Sequence, residues 1–178
     1  YDKIGPGVKM DAFNNGNGKV VWLNSKTGIM TDRDVRRALH VGTDPLPVAK
    51  LIKADDLPLR YWPQSPSNPD AYLTDEDLPE STRILFDYNP ELAKQMLADA
   101  GYPNGFKSEM LVSYEPPNPD IAAILQEQWA KIGVEMTINI KERAAFDRDA
   151  YSNEYESVAI PAGFDAANPI AVLSSEVQ

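Results

Sequence analysis

The sequence predicts an α/β fold, and three neighbouring stretches in its second half carry that prediction. Val134, Met136, Ile138 and Ile140 alternate with Glu135, Thr137, Asn139 and Lys141, the period of two expected of a strand with one buried face. Ahead of it, Ile121, Ile124, Leu125, Gln128 and Ile132 recur at helical spacing, opened by Asn118-Pro119 and stopped by Gly133. Residues 107–113 form another strand-type run. Strand, helix and strand within this length make a βαβ unit, whose two strands are parallel and joined by a right-handed crossover.

The remaining elements follow in chain order. Gly16-Asn17-Gly18 ahead of Val20-Val21-Trp22-Leu23 reads as a turn feeding a buried strand. Residues 11–16 superficially suggest a calcium loop, but Phe13 stands where the loop needs Asp or Asn, so that reading is rejected. Thr31 or Asp32 caps a helix carrying Val35, Ala38, Leu39 and Gly42 on one face, and Asp44-Pro45 stops it. Pro45 then opens a second short helix with Val48, Leu51 and Ile52. From 53 to 87 the periodicity disappears. Pro58, Pro63, Pro66, Pro69 and Pro79 fall here with eight acidic residues against three basic ones, which predicts a long irregular loop ordered on the surface by Tyr61-Trp62 and Ile84-Leu85-Phe86. Asn89-Pro90-Glu91 opens a helix whose face is Ala93, Met96, Leu97 and Ala100, closed by Gly101. A helix over 144–151 and a short strand at 157–160 complete the layer, and no internal repeat is present.

Composition narrows the functions open to such a chain. Its 178 residues suit one domain, with 43% hydrophobic and 25% charged residues allowing a real core. The 27 acidic against 17 basic side chains leave a net charge of −10, with no basic run, so a nucleic-acid partner is excluded by repulsion from its phosphates. No apolar run approaches the roughly 18 residues of a membrane-spanning helix. The start, Tyr1-Asp2-Lys3-Ile4-Gly5-Pro6, lacks both an initiator Met and an apolar targeting core, as expected of a processed or excised piece. With no cysteine and a single histidine, His40, neither thiol chemistry nor a Cys/His metal site is expected. Gly5-Pro6-Gly7 is not a dinucleotide fingerprint, and no cofactor is expected. The pairs Asp32 with Asp34 and Asp55 with Asp56, and the run Asp75-Glu76-Asp77, suit solvated loops or helix N-termini. A carboxylate-dependent hydrolase built on Asp32 or Asp34 remains an alternative.

One carboxylate stands out by position. Asp165, in Gly163-Phe164-Asp165-Ala166-Ala167-Asn168-Pro169, directly follows the last short strand. Ligands of open α/β sheets bind beyond the carboxyl ends of the strands, and a carboxylate beside an aromatic ring suits an ammonium group. On the residues alone the plainer reading of Asp165, an Asx-turn capping the segment before Pro169, carries more weight.

Four stretches in order also resemble one known family. Trp22-Leu23-Asn24 followed by Asp32-Arg33-Asp34-Val35-Arg36-Arg37-Ala38-Leu39 is similar to that family's strand ending in Asn and its "D-x-R-V-R-x-A-[LI]" helix. Tyr88-Asn89-Pro90-Glu91-Leu92-Ala93-Lys94, with Leu97 to Phe106, resembles "Y-[DN]-P-E-x-A-K…L-L-x-[ED]-A-G-Y-P-[ND]-G-F". Gln126-Glu127-Gln128-Trp129-Ala130-Lys131-Ile132-Gly133-Val134 resembles "I-Q-x-x-L-x-x-I-G-[IV]". Gly163 to Pro169 lies where the family reads "W-x-A-D-Y-x-D-P". The family is the family 5 extracellular solute-binding proteins of ABC importers.

The resemblance implies a periplasmic-binding-protein-like lobe, with a mixed sheet flanked by helices, and residues 1–178 as a single partial C-terminal lobe of a longer two-lobe protein. It implies a monomer at the periplasmic or extracellular face of the cell envelope that captures a peptide or other small amino-containing solute. That solute is delivered to ABC permease subunits without catalysis. Asp165 inherits the pairing with the ligand ammonium, Phe164 and Trp62 supply apolar walls, and Trp22 and Asn24 lie near the cleft. The site departs from the family pattern at Ala162, Phe164 and Ala166, so the ligand can differ from that of the peptide binders. An acidic interaction module using residues 70–80 is a further alternative.

Overall fold

A computed structural model describes residues 19–52, 73–74 and 76–162 of the chain. Strand β1 (Trp22–Leu23) leads through a 3-10 turn (Gly28–Thr31) into helix α1 (Arg33–Val41) and the short α2 (Leu46–Leu51). After α3 (Glu80–Arg83) and a 3-10 turn (Ile84–Phe86) come α4 (Pro90–Asp99), β2 (Phe106–Ser113), α5 (Asn118–Ala130), β3 (Val134–Lys141), α6 (Arg143–Tyr151) and β4 (Val158–Ile160). The turn expected at 16–18, and residues 53–72 of the expected irregular loop, lie outside the described residues.

Local chemistry accounts for where the helices start. Asp32, of the two candidate caps, closes α1 by accepting the Asp34 N–H on Oδ1 at 2.7 Å. Asn89 does the same for α4, accepting from Leu92 N at 2.9 Å, with Pro90 in the first turn. The structure corrects the expectation of irregular chain up to 87. Residues 80–86 form two short helical turns, in which Thr82 and Arg83 N–H groups bond the Pro79 carbonyl at 2.8 and 3.0 Å. Seven residues are too few for a helical period to show in sequence.

The four strands make one mixed sheet in the order β1-β4-β2-β3. β2 and β3 are parallel, in register from Phe106↔Val134 to Ser113↔Lys141, as the βαβ reading requires. β4 is parallel to β2 from Met110↔Val158, and β1 runs antiparallel to β4 with Trp22 opposite Ala159. One face buries Met110, Val112, Val134, Met136, Val158 and Ile160 against Val35, Leu39, Leu97, Ile121, Leu125 and Trp129 of α1, α4 and α5. Full burial of each large apolar side chain stabilises by about 1.5–3 kcal/mol, which makes this layer the core. The other face is smaller, with Leu111, Ala159 and Trp22 meeting Phe146 and Ala150 of α6.

Gln128, which the helical pattern places among apolar residues, is buried because it clamps the α1–α2 junction onto α5. Its side chain accepts from Asp44 N at 2.8 Å and donates to the Asp44 carbonyl at 3.1 Å, while the Trp129 indole N–H donates to Thr43 Oγ1 at 2.9 Å. Buried polar groups satisfied in this way fix register, their hydrogen bonds offsetting the cost of leaving water.

Candidate functional site

Because β2, β3 and β4 are mutually parallel, their last residues, Ser113, Lys141 and Ile160, lie at one edge of the sheet, the edge at which α/β folds bind ligands. The chain leaving β4 is held there at its next residue, where Lys19 Nζ donates to the Pro161 carbonyl at 2.8 Å. The candidates at 164 and 165 lie two and three residues beyond the last described position.

Along the same edge the structure brings together residues from three elements. Tyr114, just past β2, is 47% exposed although its N–H is bonded to the Lys141 carbonyl at 3.0 Å, so a rigid backbone presents a free-standing aromatic ring. Ile140 beside it on β3 is 51% exposed. Glu115 accepts the Ser113 hydroxyl and lies 3.9 Å from Arg143 Nη1. Arg143 Nε in turn donates to Asp147 at 2.7 Å, which pushes the guanidinium pKa further up. Asn118, in the first turn of α5, is completely buried and its side-chain amide has no hydrogen-bond partner.

Behind this corner sits Asp149. On a helix over 144–151, Asp147 and Asp149 with Arg143 and Arg148 as neutralising partners are expected at ordinary surface; the structure makes the Arg143–Asp147 and Arg148–Asp149 pairs but buries Asp149. Its side chain is only 6% exposed, and it bonds Lys141 Nζ at 2.5 Å and Arg148 at 2.7 Å. The hydrogen bond from Lys141 is the main cause, and that from Arg148 the second, of a carboxyl pKa held below the ordinary range. The pair ties α6 to the end of β3. Helical spacing sets Asp149 on the face of α6 turned to the sheet with Phe146 and Ala150, but periodicity does not show the lysine that β3 brings to it.

Of the residues predicted for the site, Trp22 and Asn24 are among those described. Trp22 stands on the α6 side of the sheet, its ring 5.5 Å from that of Tyr151, which is 69% exposed. Asn24 is buried toward the opposite end of β4, where its N–H bonds the Ser157 carbonyl at 2.8 Å. Its side-chain amide donates to the Tyr155 carbonyl at 2.7 Å and to Thr27 Oγ1 at 2.9 Å, and its Oδ1 accepts from Lys26 N. Trp62, Phe164 and Asp165 lie outside the described residues. Asp32, the hydrolase candidate, has its carboxylate engaged as the α1 cap, and His40 stands edge-on to Phe86 at 5.8 Å. Among the described residues no group of His, Cys, Asp and Glu is gathered to hold a metal. Tyr114 and Asn118 were missed by the sequence reading. The signal available was topological: Tyr114 follows directly on a parallel strand and Asn118 opens the helix after it.

A mixed sheet with helices on both faces, its parallel strands ending at one edge, defines the lobe of a periplasmic-binding-protein fold. The chain belongs to the family described as bacterial extracellular solute-binding proteins, family 5, whose model matches residues 1–176. It is 33% identical to the oligopeptide-binding protein AppA of Bacillus subtilis over 138 residues, which are 70% of this chain and 24% of that protein. It is 27% identical to heme-binding protein A of Haemophilus influenzae over 157 residues, 85% of this chain and 27% of the relative. In structure it is similar to the periplasmic binding protein DppA from Helicobacter pylori, solved with the peptide STSA, with a TM-score of 0.65 and 23% identity. That match covers 90% of this chain and 30% of the other. The chain thus spans about a quarter of the length of the curated relatives it matches. The hydrolase and interaction-module alternatives find no support in these matches. Among the described residues no helix is long and apolar enough to cross a membrane.

Proposed function

We propose that the protein to which this chain belongs is the solute-binding component of an ABC importer. It captures a peptide or other small amino-containing solute between two lobes at the periplasmic or extracellular face and passes it, as a monomer and without chemistry, to the permease subunits. The observation that carries this reading is the family match over 1–176, joined to 33% identity with a protein named for oligopeptide binding. Residues 1–178 act as most of the C-terminal lobe, and hinge closure traps the solute over the carboxyl edge of the sheet.

In this reading Asp165 holds a cationic group of the ligand, and Phe164, Trp22, Trp62 and the exposed Tyr114 supply aromatic surface around it. Asn24 acts as a positioning residue, because its N–H and side-chain amide tie the end of β1 to the Ser157 and Tyr155 carbonyls before β4. Half a cleft lacks the contacts of the other lobe, so the chain alone is expected to bind only weakly.

Native mass spectrometry of the two-lobe protein as purified, wild type against Asp165→Asn, tests the proposal. Heterogeneous peptide masses present in wild type and lost in the variant are the expected result. A ligand retained equally by the variant removes Asp165 from the site. A bound porphyrin would instead move the ligand toward that of the heme-binding relative.

A further inference from the structure

At the end of the sheet opposite the ligand edge, the chain enters β2 through Tyr102-Pro103-Asn104-Gly105 and enters β3 through Ile132-Gly133. The two turns border a concavity of about 340 Å³, lined also by Lys94 and Lys131. Asn104 is exposed, and among the hydrogen bonds and ion pairs of the described residues none engages its side-chain amide. The residue after it is glycine. That combination matters because the Gly105 backbone nitrogen is the nucleophile nearest the Asn104 carboxamide along the chain, and no Cβ obstructs its approach.

From these features we propose that Asn104–Gly105 is a self-modification site, at which deamidation sets a carboxylate into the lysine-lined concavity. The Gly105 nitrogen, its proton taken by solvent base, attacks Asn104 Cγ. The new C–N bond closes a succinimide ring as the side-chain nitrogen leaves as ammonia. Water then opens the ring at one of its two carbonyls, leaving aspartate or isoaspartate. No electrons are exchanged and water is the sole co-reactant.

The surroundings act on this chemistry in three ways. Among the described residues Lys94 pairs with Glu91 at 2.9 Å and Lys131 with Glu127 at 3.1 Å, in exposed i,i+3 and i,i+4 pairs that hold them weakly. Both ammonium groups are therefore available to favour the anionic intermediate and its carboxylate product. Opposing them, the Gly105 N–H donates to the Tyr102 carbonyl at 3.0 Å, so attack follows opening of that turn. The third effect distinguishes the two products once the ring has opened. Gly105 (φ +71°) is pressed so closely on Gly133 that a Cβ there would stand 1.8 Å from the Gly133 carbonyl oxygen. Isoaspartate inserts an extra main-chain carbon just ahead of this contact, whereas aspartate keeps the chain length. The fold therefore lets the turn close again only on aspartate.

The test is peptide mapping of the full chain incubated at mildly alkaline pH, folded and in urea, with isoaspartate read by enzymatic methyl labelling. Conversion at Asn104 in the folded chain is expected several-fold faster than at Asn139 and Asn153, and the isoaspartate form is expected to unfold at lower urea than the aspartate form. A Lys94→Gln/Lys131→Gln variant should convert several-fold more slowly. Asn104→Asp should fold with an unfolding midpoint no lower than wild type. Conversion confined to urea would mean that the Tyr102 turn bond shields the site, and the proposal falls. Equal stability of the isoaspartate and aspartate forms overturns the distinction between products, and an unchanged rate in the lysine variant removes the lysines from the site.

Discussion

Replacing Gly105 by alanine tests the tightest contact in the fold. The added Cβ would meet backbone, at 1.8 Å from the Gly133 oxygen and 2.4 Å from its carbon, so no side chain can swing aside. Ordinary contact begins near 3.4 Å, and 3.4 − 1.8 asks the two turns to part by about 1.6 Å. They open β2 and β3, so that shift reaches the Phe106↔Val134 pair at the start of the longest strand pairing. A left-handed conformation costs a non-glycine residue roughly 1–2 kcal/mol. Forced overpacking adds about 1–3 kcal/mol, for an expected loss of roughly 2–5 kcal/mol, a large share of a typical domain's stability. Gly101 supplies the control: its φ is +94°, yet a Cβ there meets nothing within 4 Å, so Gly101→Ala should show the conformational part alone. Gly133→Ala, with φ +89° and its nearest contact at 3.4 Å, should fall between them. Urea unfolding at constant m-value measures all three. A Gly105→Ala loss no larger than that of Gly101→Ala would refute the steric argument.

Two further substitutions probe the carboxyl edge of the sheet and the clamp behind it. Asn118→Leu replaces a buried, unpartnered amide with an apolar group of similar size and should leave stability unchanged or raise it by about 1–3 kcal/mol in urea unfolding. A loss of more than about 1 kcal/mol would mean that the amide is bonded in solution. Asp149→Asn leaves Lys141 and Arg148 without their carboxylate and should destabilise the chain at neutral pH. Because the folded pKa of Asp149 is lowered, its contribution is complete above the unfolded value of about 3.9 and is lost as pH falls through the folded value. The variant should therefore show a shallower fall in stability on acidification, and an acid-unfolding curve parallel to wild type would contradict the linkage.

What was legible in the sequence was what local chemistry determines. The alternation at 134–141, the Asn89-Pro90 start and the apolar face of α5 each need only near neighbours to be read, and each became the expected element. The parallel pairing of β2 and β3 followed from their order. Contacts closed across the chain were not legible. The Asn24 amide meets a carbonyl 131 residues away, Asp149 is buried by a lysine on another element, and Asn118 is covered at a sheet edge that exists only after folding. Part of the site stayed out of reach for a different reason. The motif around Asp165 departs from its family's pattern at the residues on either side of the carboxylate.

The cations at the end of β3 bear on which end of a peptide this lobe would meet. Lys141 and Arg143, the last residue of β3 and the first of α6, are bonded to Asp149 at 2.5 Å and Asp147 at 2.7 Å. A ligand carboxylate arriving at this corner would have to displace an existing partner, and in the case of Lys141 would leave the nearly buried Asp149 with Arg148 alone. An arriving ammonium breaks nothing. The proposed recognition through Asp165 and aromatic surface is consistent with that asymmetry. For the two-lobe protein, acetylating a peptide's amino terminus should weaken binding by calorimetry far more than amidating its carboxyl terminus. The reverse order would mean that recognition rests on a ligand carboxylate, and the assignment of this edge to the ammonium end would fail.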